Sequence, residues 1–391
     1  MRAGRSALRL HVNAVGAVMG GAARHLSPFL AALHQVRPEW SICVWVTSGH
    51  EPAGVPDAVA VRALPRRGIA RRLWWESVAL PRALRRDGAD ALLNLTNSGP
   101  MHSPVPSILY QRNALWFDPS WAQGFRGRAG VGAAARRQLA YLQMRGSAVT
   151  IVPSAAMAGF LLAWRGAPGA PSVRVIPHAV DTERFADSQR SWPPAGRPIR
   201  MVSVGHAAPH KDQALLVRLV ARLRDQGLDA HLGLTVERDD SPHYVDEIQR
   251  ERERLGVEDR VELLGRVDDV ERLYRDADVM VFPSISESFG FPIVEAMASG
   301  IPVVASAIPA SEELLGRDGW FFPPGDVDAA AAAVRRLMET PAQQVAEITA
   351  RAAQAARGHG WSANADRVAT AVEASVELRP FDPPAPDRPT A

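Results

Sequence analysis

The chain has 391 residues, 47% hydrophobic and 22% charged. That is the balance of a folded globular protein, and at roughly 100–200 residues per domain it is long enough for two domains. A formal charge of +3 without a concentrated basic stripe argues against a dedicated nucleic-acid binder, and no nucleic-acid partner is expected. Cys43 is the single cysteine, so neither an intramolecular disulfide nor a cysteine-based metal site can form. Residues 1–10 lack the apolar core and cleavage site of a secretory signal, and no run of about 18 apolar residues is present, so the expected location is the cytoplasm. Lys211 is the only lysine among 45 lysines and arginines.

In chain order, a strand over 8–12 leads into a glycine-rich loop with Gly20 and Gly21, followed by an apolar-periodic helix over 22–33. Strands follow at 41–47, 91–94, 107–111, 149–152 and 174–176, with helical segments between them. The segment 188–198 is rich in Ser, Pro, Gly and Arg and reads as a linker. Beyond it the same grammar restarts: strand 200–204, Gly205, helix 212–226, strand 231–234 and helix 244–255. Further strands fit 261–264, 279–282 and 303–305, and helices fit 270–276, 293–298, 327–339 and 342–356. Strands alternating with helices predict two α/β units with parallel sheets. The expected division is 1–187, a linker 188–198, 199–363, a terminal helix 364–377 and a proline-rich, disordered tail 378–391.

The most informative segment places Glu287 and Glu295 on either side of a loop-to-helix junction. Pro292 suits a first helical turn, where its missing amide costs nothing, and Gly290 before it allows the backbone to approach a ligand. The free amides of Phe291, Ile293 and Val294, with the helix dipole, would form a phosphate seat. The same spacing also suits a capped surface helix with two solvated glutamates.

The run FPSISESFGFPIVEAMASGIPVVAS (282–306) resembles the donor-site motif of retaining glycosyltransferases of the GT-B fold, family 4. Two more blocks agree in order: SVGHAAPHKDQALLVRLV (203–220) is similar to that family's glycine-then-lysine phosphate loop, and IPHAVDTERF (176–185) to its pre-linker segment. The resemblance is strong in the second half and loose in the first. It implies two Rossmann-like domains with parallel sheets facing across a cleft, the first for the acceptor and the second for the donor. The terminal helix would then return to the first domain.

Residue by residue, the resemblance gives Lys211 contact with the donor diphosphate, Glu287 a place against the donor sugar near the reacting carbon, and Glu295 the ribose. Ser288, Phe289 and Gly290 would line sugar and phosphate, with Phe291, Pro292 and Ile293 at the helix start. Gly205, His206 and His210 would flank the diphosphate, Arg266 and Val267 the nucleobase, and Gly20 and Gly21 the diphosphate from the first domain. Two departures stand out. His206 occupies a position where many members have arginine, and Gln111, Arg112 and Asn113 stand where many have a histidine. Arg112 and Asn113 can still hydrogen-bond a sugar hydroxyl, and Asn97 and Ser98 lie in a polar loop suited to an acceptor or to a bare turn.

The implied activity is transfer of a hexosyl unit, with retention and without a metal or other cofactor, from a nucleoside-diphosphate sugar to a saccharide or glycolipid acceptor. GDP-mannose is the first expected donor, because a non-arginine after Gly205 resembles mannosyltransferases of bacterial surface polysaccharides; UDP- and dTDP-sugars stay open. Two alternatives remain at this point, a UDP-amino-sugar 2-epimerase of the same fold and a catalytically silent nucleotide-sugar-binding protein. Arg66, Arg67, Arg71 and Arg72 beside Trp74 and Trp75 fit either an anionic membrane surface or tryptophans in the core under a solvated arginine face.

Overall fold

Runs of Val, Leu and Ile too short for helices become central strands because both their faces can be covered. The computed structural model describes residues 7–17, 20–66, 68–122, 127–164, 172–185, 192–194 and 196–378. Arg67, residues 188–191 and 195 of the expected linker, and 379–391 of the expected tail lie outside the described residues.

Among the described residues the first half forms one sheet from β1 (Arg9–Asn13), β2 (Ser41–Thr47), β3 (Val59–Leu64), β4 (Ala91–Asn94), β5 (Ser107–Tyr110), β6 (Val149–Val152) and β7 (Val173–Val175). Their order is β3-β2-β1-β4-β5-β6-β7, and every pairing is parallel. The second half forms a second parallel sheet from β8 (Ile199–Ser203), β9 (Ala230–Leu234), β10 (Val261–Leu263), β11 (Val279–Phe282), β12 (Val303–Ser306) and β13 (Trp320–Phe322). Its order is β10-β9-β8-β11-β12-β13. These are two Rossmann-like α/β halves. Each sheet reverses its winding once, between β1 and β4 and between β8 and β11, and in open α/β sheets ligands bind outside the carboxyl ends of the strands at that point.

Every residue of β4, β5, β6, β11 and β12 is buried. Each fully buried Leu, Val or Ile contributes roughly 1.5–3 kcal/mol, so these runs anchor the two cores. In the first, Leu10, Val12, Ile42, Leu93 and Ile108 pack against Phe29, Leu30 and Leu33 of the helix Gly20–Val36. The same cluster contains Ala365, Val368, Ala369 and Val372 from the last helix, Trp361–Glu377. That helix follows the second sheet in the chain yet packs on the first, held at its edge by Arg37, whose Nε donates to Glu373 at 2.7 Å and Nη1 to Asp366 at 3.0 Å.

Several expectations need correction. Gly20 and Gly21 do not sit in a loop; they open the Gly20–Val36 helix, since glycine at a helix start costs less than in its interior. β3 and β13 are strands that the sequence pattern does not announce. β3 lies at a sheet edge with Val61 exposed and Arg62 within it, and β13 has only three residues, too few to show a period. The donor-motif helix begins at Phe291 rather than 293, with the proline inside its first turn.

Candidate active site

The loops leaving β8 and β11 converge at the switch point of the second sheet. After β8 the chain passes Gly205, whose amide donates to Thr235 Oγ1 at 2.9 Å, and turns through Pro209–Lys211. Asp212 takes a left-handed φ of 45° before the helix Gln213–Asp225. That turn aims Lys211 back toward the loop after β11. Its Nζ lies 2.7 Å from Glu287 Oε1, and both side chains are largely buried. Ser284 Oγ donates to the same oxygen at 3.0 Å, and the Ile285 amide donates to His210 O at 2.8 Å, tying the two loops together.

Burial alone would raise the Glu287 carboxyl, but the Lys211 ammonium, reinforced by the His210 side and the Ser284 hydroxyl, outweighs it and holds the group below its ordinary value. His210 moves the other way. Burial, with Lys211 and His206 nearby, lowers it to about 4 against the pull of Glu287, and burial with Lys211 also lowers His206. At neutral pH the site therefore holds one ammonium, one carboxylate and two neutral imidazoles, whose rings are 6.1 Å apart. Trp121 of the first half meets His210 edge-on at 5.7 Å.

Gly290 adopts a φ of 113°, which L side chains rarely reach. A Cβ there would lie 3.3 Å from both Ile293 Cδ1 and Leu314 Cδ1. Its carbonyl accepts from the amides of Ile293 and Val294. Of the expected phosphate seat, only the Phe291 amide is therefore left without a backbone acceptor among the described residues, a correction that follows from the tight first turn. Glu295 accepts a 3.0 Å hydrogen bond from Tyr274 Oη, and burial with the adjacent carboxylate pushes that phenol well above its ordinary range. Phe289 is buried and Ser288 half-buried. Arg266, paired with Asp268 at 3.5 Å, is exposed; it and the half-buried Val267 lie beyond β10, at the sheet edge away from the Lys211–Glu287 pair.

The first half has its own switch point. Asn13 Nδ2, at the end of β1, donates to Glu76 Oε1 at 3.1 Å and to Asn94 Oδ1 at 3.2 Å. Arg72 donates from Nε to Glu76 and from Nη2 to Thr96 and Ser98. Glu76 is reached because the helix Ile69–Trp74 continues through a wide turn, Trp75–Ala79, that buries it completely. Ser98, expected to meet an acceptor, is thus bound to Arg72 and also donates to Glu76 at 3.0 Å. Asn97, at a φ of 57°, accepts from the Arg112 amide at 2.6 Å. Asn113 caps the short turn Ala114–Trp116 by accepting from Leu115 N, and the Arg112 guanidinium donates to Leu95 O. Neither Arg112 nor Asn113 is hydrogen-bonded to the Lys211–Glu287 pair. Trp75 is buried while Trp74 is 56% exposed, so the basic-aromatic stretch divides between the two readings.

Direct contacts join the halves at this place. Ser154 Oγ donates to Ser288 O at 2.7 Å, and the amides of Ala155 and Ala156 donate to Glu313 at 2.8 and 2.9 Å. The Phe291 ring stacks against His25 at 4.6 Å and His178 at 5.0 Å. His25, His178, Tyr274, Ser284 and the Arg72–Glu76 pair are absent from the sequence-based site. Ser284 and His178 lie inside the quoted blocks, and Arg72 and Glu76 stand four residues apart, whereas His25 and Tyr274 carry no local signal.

Residues 198–340 match the family described as glycosyl transferases group 1. The chain carries a group 1 glycosyltransferase domain. This glycosyltransferase segment contains both the Lys211 turn and the Glu287–Glu295 loop. The chain is 31% identical over 224 residues to the sulfoquinovosyl transferase SQD2 of Arabidopsis thaliana, covering 54% of this chain and 41% of that protein. It is 34% identical over 182 residues to an MMP alpha-(1->4)-mannosyltransferase of Mycolicibacterium hassiacum, covering 43% and 40%. The matches thus span less than half the length of these two relatives. In fold, the chain is similar to sucrose-phosphate synthase from Thermosynechococcus elongatus, with a TM-score of 0.74 at 19% identity, covering 95% of this chain and all of that one. Among the described residues no helix is long and apolar enough to cross a membrane, and no group of three or more His, Cys, Asp or Glu could hold a metal ion.

Proposed function

We propose that the protein is a retaining, metal-independent hexosyltransferase that moves a sugar from a nucleoside diphosphate to a hydroxyl of a saccharide or lipid-linked saccharide. The first-choice donor is GDP-mannose, in the synthesis of cell-surface polysaccharide or glycolipid. The observation that carries this reading is the largely buried Lys211–Glu287 pair, 2.7 Å apart, at the switch point of the second sheet. Lys211 would turn from Glu287 to the diphosphate and offset the charge that grows there as the C1–O bond breaks. Glu287, still ionised, would position the sugar. In the balanced step the acceptor oxygen bonds to C1, the bond from C1 to the diphosphate breaks, and the acceptor proton passes to the departing phosphate oxygen on the same face. Glu295, held by Tyr274, would take the ribose hydroxyls. A mannosyltransferase relative supports the donor choice.

The test is a thermal-shift series with GDP-, UDP-, dTDP- and ADP-sugars, followed by transfer assays with the stabilising donor. A ligand at 100 times its Kd adds about 2.7 kcal/mol of stability. Selective stabilisation by one donor, lost in Lys211→Ala, is expected, together with a fall in transfer of roughly 100-fold or more. Stabilisation by none of them removes the reading.

The acceptor side has a membrane-facing candidate. Ile69 and Trp74 are 77% and 56% exposed, with Arg66 and Arg71 also exposed beside them, which suits shallow contact with an anionic lipid surface. Co-sedimentation with phosphatidylglycerol vesicles, weakened by Trp74→Ser, would support cytoplasmic-face association; equal sedimentation of both proteins would not.

A further inference from the structure

Beneath the Phe291 ring, a cavity of about 40 Å³ opens between the helix Gly20–Val36, the ends of β4 and β5 and the terminal helix. That volume holds a few water-sized groups, about the size of a carboxylate or a small tetrahedral anion. Its polar lining comes from His25, Tyr110, Arg112, His178 and Asn364, and no Asp or Glu contributes to it. Arg112 is half-buried there. Its Nη2 donates to Leu95 O, while Nε and Nη1 have no hydrogen-bond partner among the described residues. Two other part-buried cations meet carboxylates: Arg72 has Glu76 and Lys211 has Glu287. Among the described residues Arg112 has no carboxylate partner.

His178 adds to the same imbalance. It is 8% exposed, its ring lies between Tyr110 at 6.1 Å and Phe291 at 5.0 Å, and burial, Arg112 and His25 all press it toward the neutral form. A guanidinium left without a counter-charge at low dielectric is costly unless a ligand supplies one. The planar guanidinium fork suits a carboxylate, sulfonate or phosphate group.

We propose that the Arg112 cavity binds an anionic group carried by one of the substrate sugars, so that the protein acts on a charged saccharide. The inference rests on the glycosyltransferase reading and deepens it. Arg112 becomes a specificity-determining residue that reads charge, in place of one that meets a neutral hydroxyl. The contact of Phe291 with His25 and His178 links the cavity to the donor loop. Under the proposed reading both a donor sugar and an acceptor sugar would approach that loop, and the test separates them.

Isothermal titration of the native protein compares UDP-glucuronate with UDP-glucose, then free glucuronate and glucose 6-phosphate with glucose in the presence of whichever of UDP or GDP binds, and finally inorganic phosphate. The expected result is at least tenfold tighter binding of an anionic sugar than of its neutral counterpart. Arg112→Gln should abolish that preference and Arg112→Lys should retain part of it. A preference among the nucleotide sugars assigns the charge to the donor; a preference only among free sugars assigns it to the acceptor. Equal affinity for charged and neutral sugars in the native protein overturns the proposal. So does a preference that survives in a folded Arg112→Gln variant, and so does inorganic phosphate binding as tightly as any sugar, which would mark an adventitious ion only. Absence of binding by both UDP and GDP counts separately, against the glycosyltransferase reading, since the free-sugar comparison still reads the cavity.

Discussion

At the scale of single residues, the active-site turn is governed by which charges are buried together. His210 sits at about 4, below its ordinary 6.5, so the native state refuses a proton that the unfolded chain accepts. Between those values the unfolded state binds more protons, and His210 makes stability rise with pH by up to about 1.4 kcal/mol per pH unit. Asp212 opposes it: burial raises its carboxyl from 3.8 to about 6, so across that range the native state binds the extra proton and stability falls as pH rises. Replacing His210 by Gln should therefore leave the Asp212 slope uncovered. Urea midpoints at pH 7, 6 and 5 are expected to drop toward acid in the native protein and to hold or rise in His210→Gln. Parallel curves for the two proteins would contradict the assignment. The sequence shows both residues, but it shows neither shift, because the shifts come from burial between two loops far apart in the chain.

At the scale of elements, the donor-motif helix depends on one backbone conformation. Gly290 with its φ of 113° cannot accept a side chain without strain of roughly 1–2 kcal/mol, and a Cβ would also press on Ile293 and Leu314. Gly290→Ala is expected to lower stability by about 1–3 kcal/mol and to weaken nucleotide-sugar binding more than Ser288→Ala does, as calorimetric melting and titration would read. The motif G-F-P-I marked this helix start in the sequence to within two residues, through the proline at its first turn. The helix Ala155–Trp164 was not legible in the same way, because its two leading amides are satisfied by Glu313 from the other half. A carboxylate at a helix N-terminus complements the dipole and the unpaired amides. Glu313→Ala should cost about 0.5–2 kcal/mol and loosen the contact between the halves, seen as a larger radius of gyration in small-angle scattering. An unchanged radius with unchanged stability would show that Glu313 does not fasten them.

At the scale of the whole molecule, the chain crosses back. The helix Trp361–Glu377 follows the second sheet but buries Ala365, Val368, Ala369, Ala371 and Val372 in the first core. Removing residues beyond 360 should cost several kcal/mol of burial in the first half alone and leave the second half's melting largely unchanged. A calorimetric trace showing selective loss of one transition would bear this out; equal loss of both would point to a single cooperative unit. The crossing helix also forms one wall of the Arg112 cavity through Trp361 and Asn364, so the same truncation should release any anion-dependent stabilisation.

Strand runs, glycine turns and the Glu287–Glu295 spacing are local patterns, so the α/β class, two parallel sheets and the segment that forms the donor-type loop are legible along the chain. The sequence also singled out Lys211, because its chemistry is rare in this composition. It takes the folded chain to show that Lys211 closes on Glu287, that Ser98 and Asn97 are held by Arg72 and Arg112, and that Arg112 and His178 share a cavity without a carboxylate. Those pairings depend on which loops the two switch points bring together. The Arg72–Glu76 pair, four residues apart, follows from local helical spacing, whereas Asn13 meets Glu76 and Arg112 meets Leu95 because strand order and burial, not proximity along the chain, bring them together.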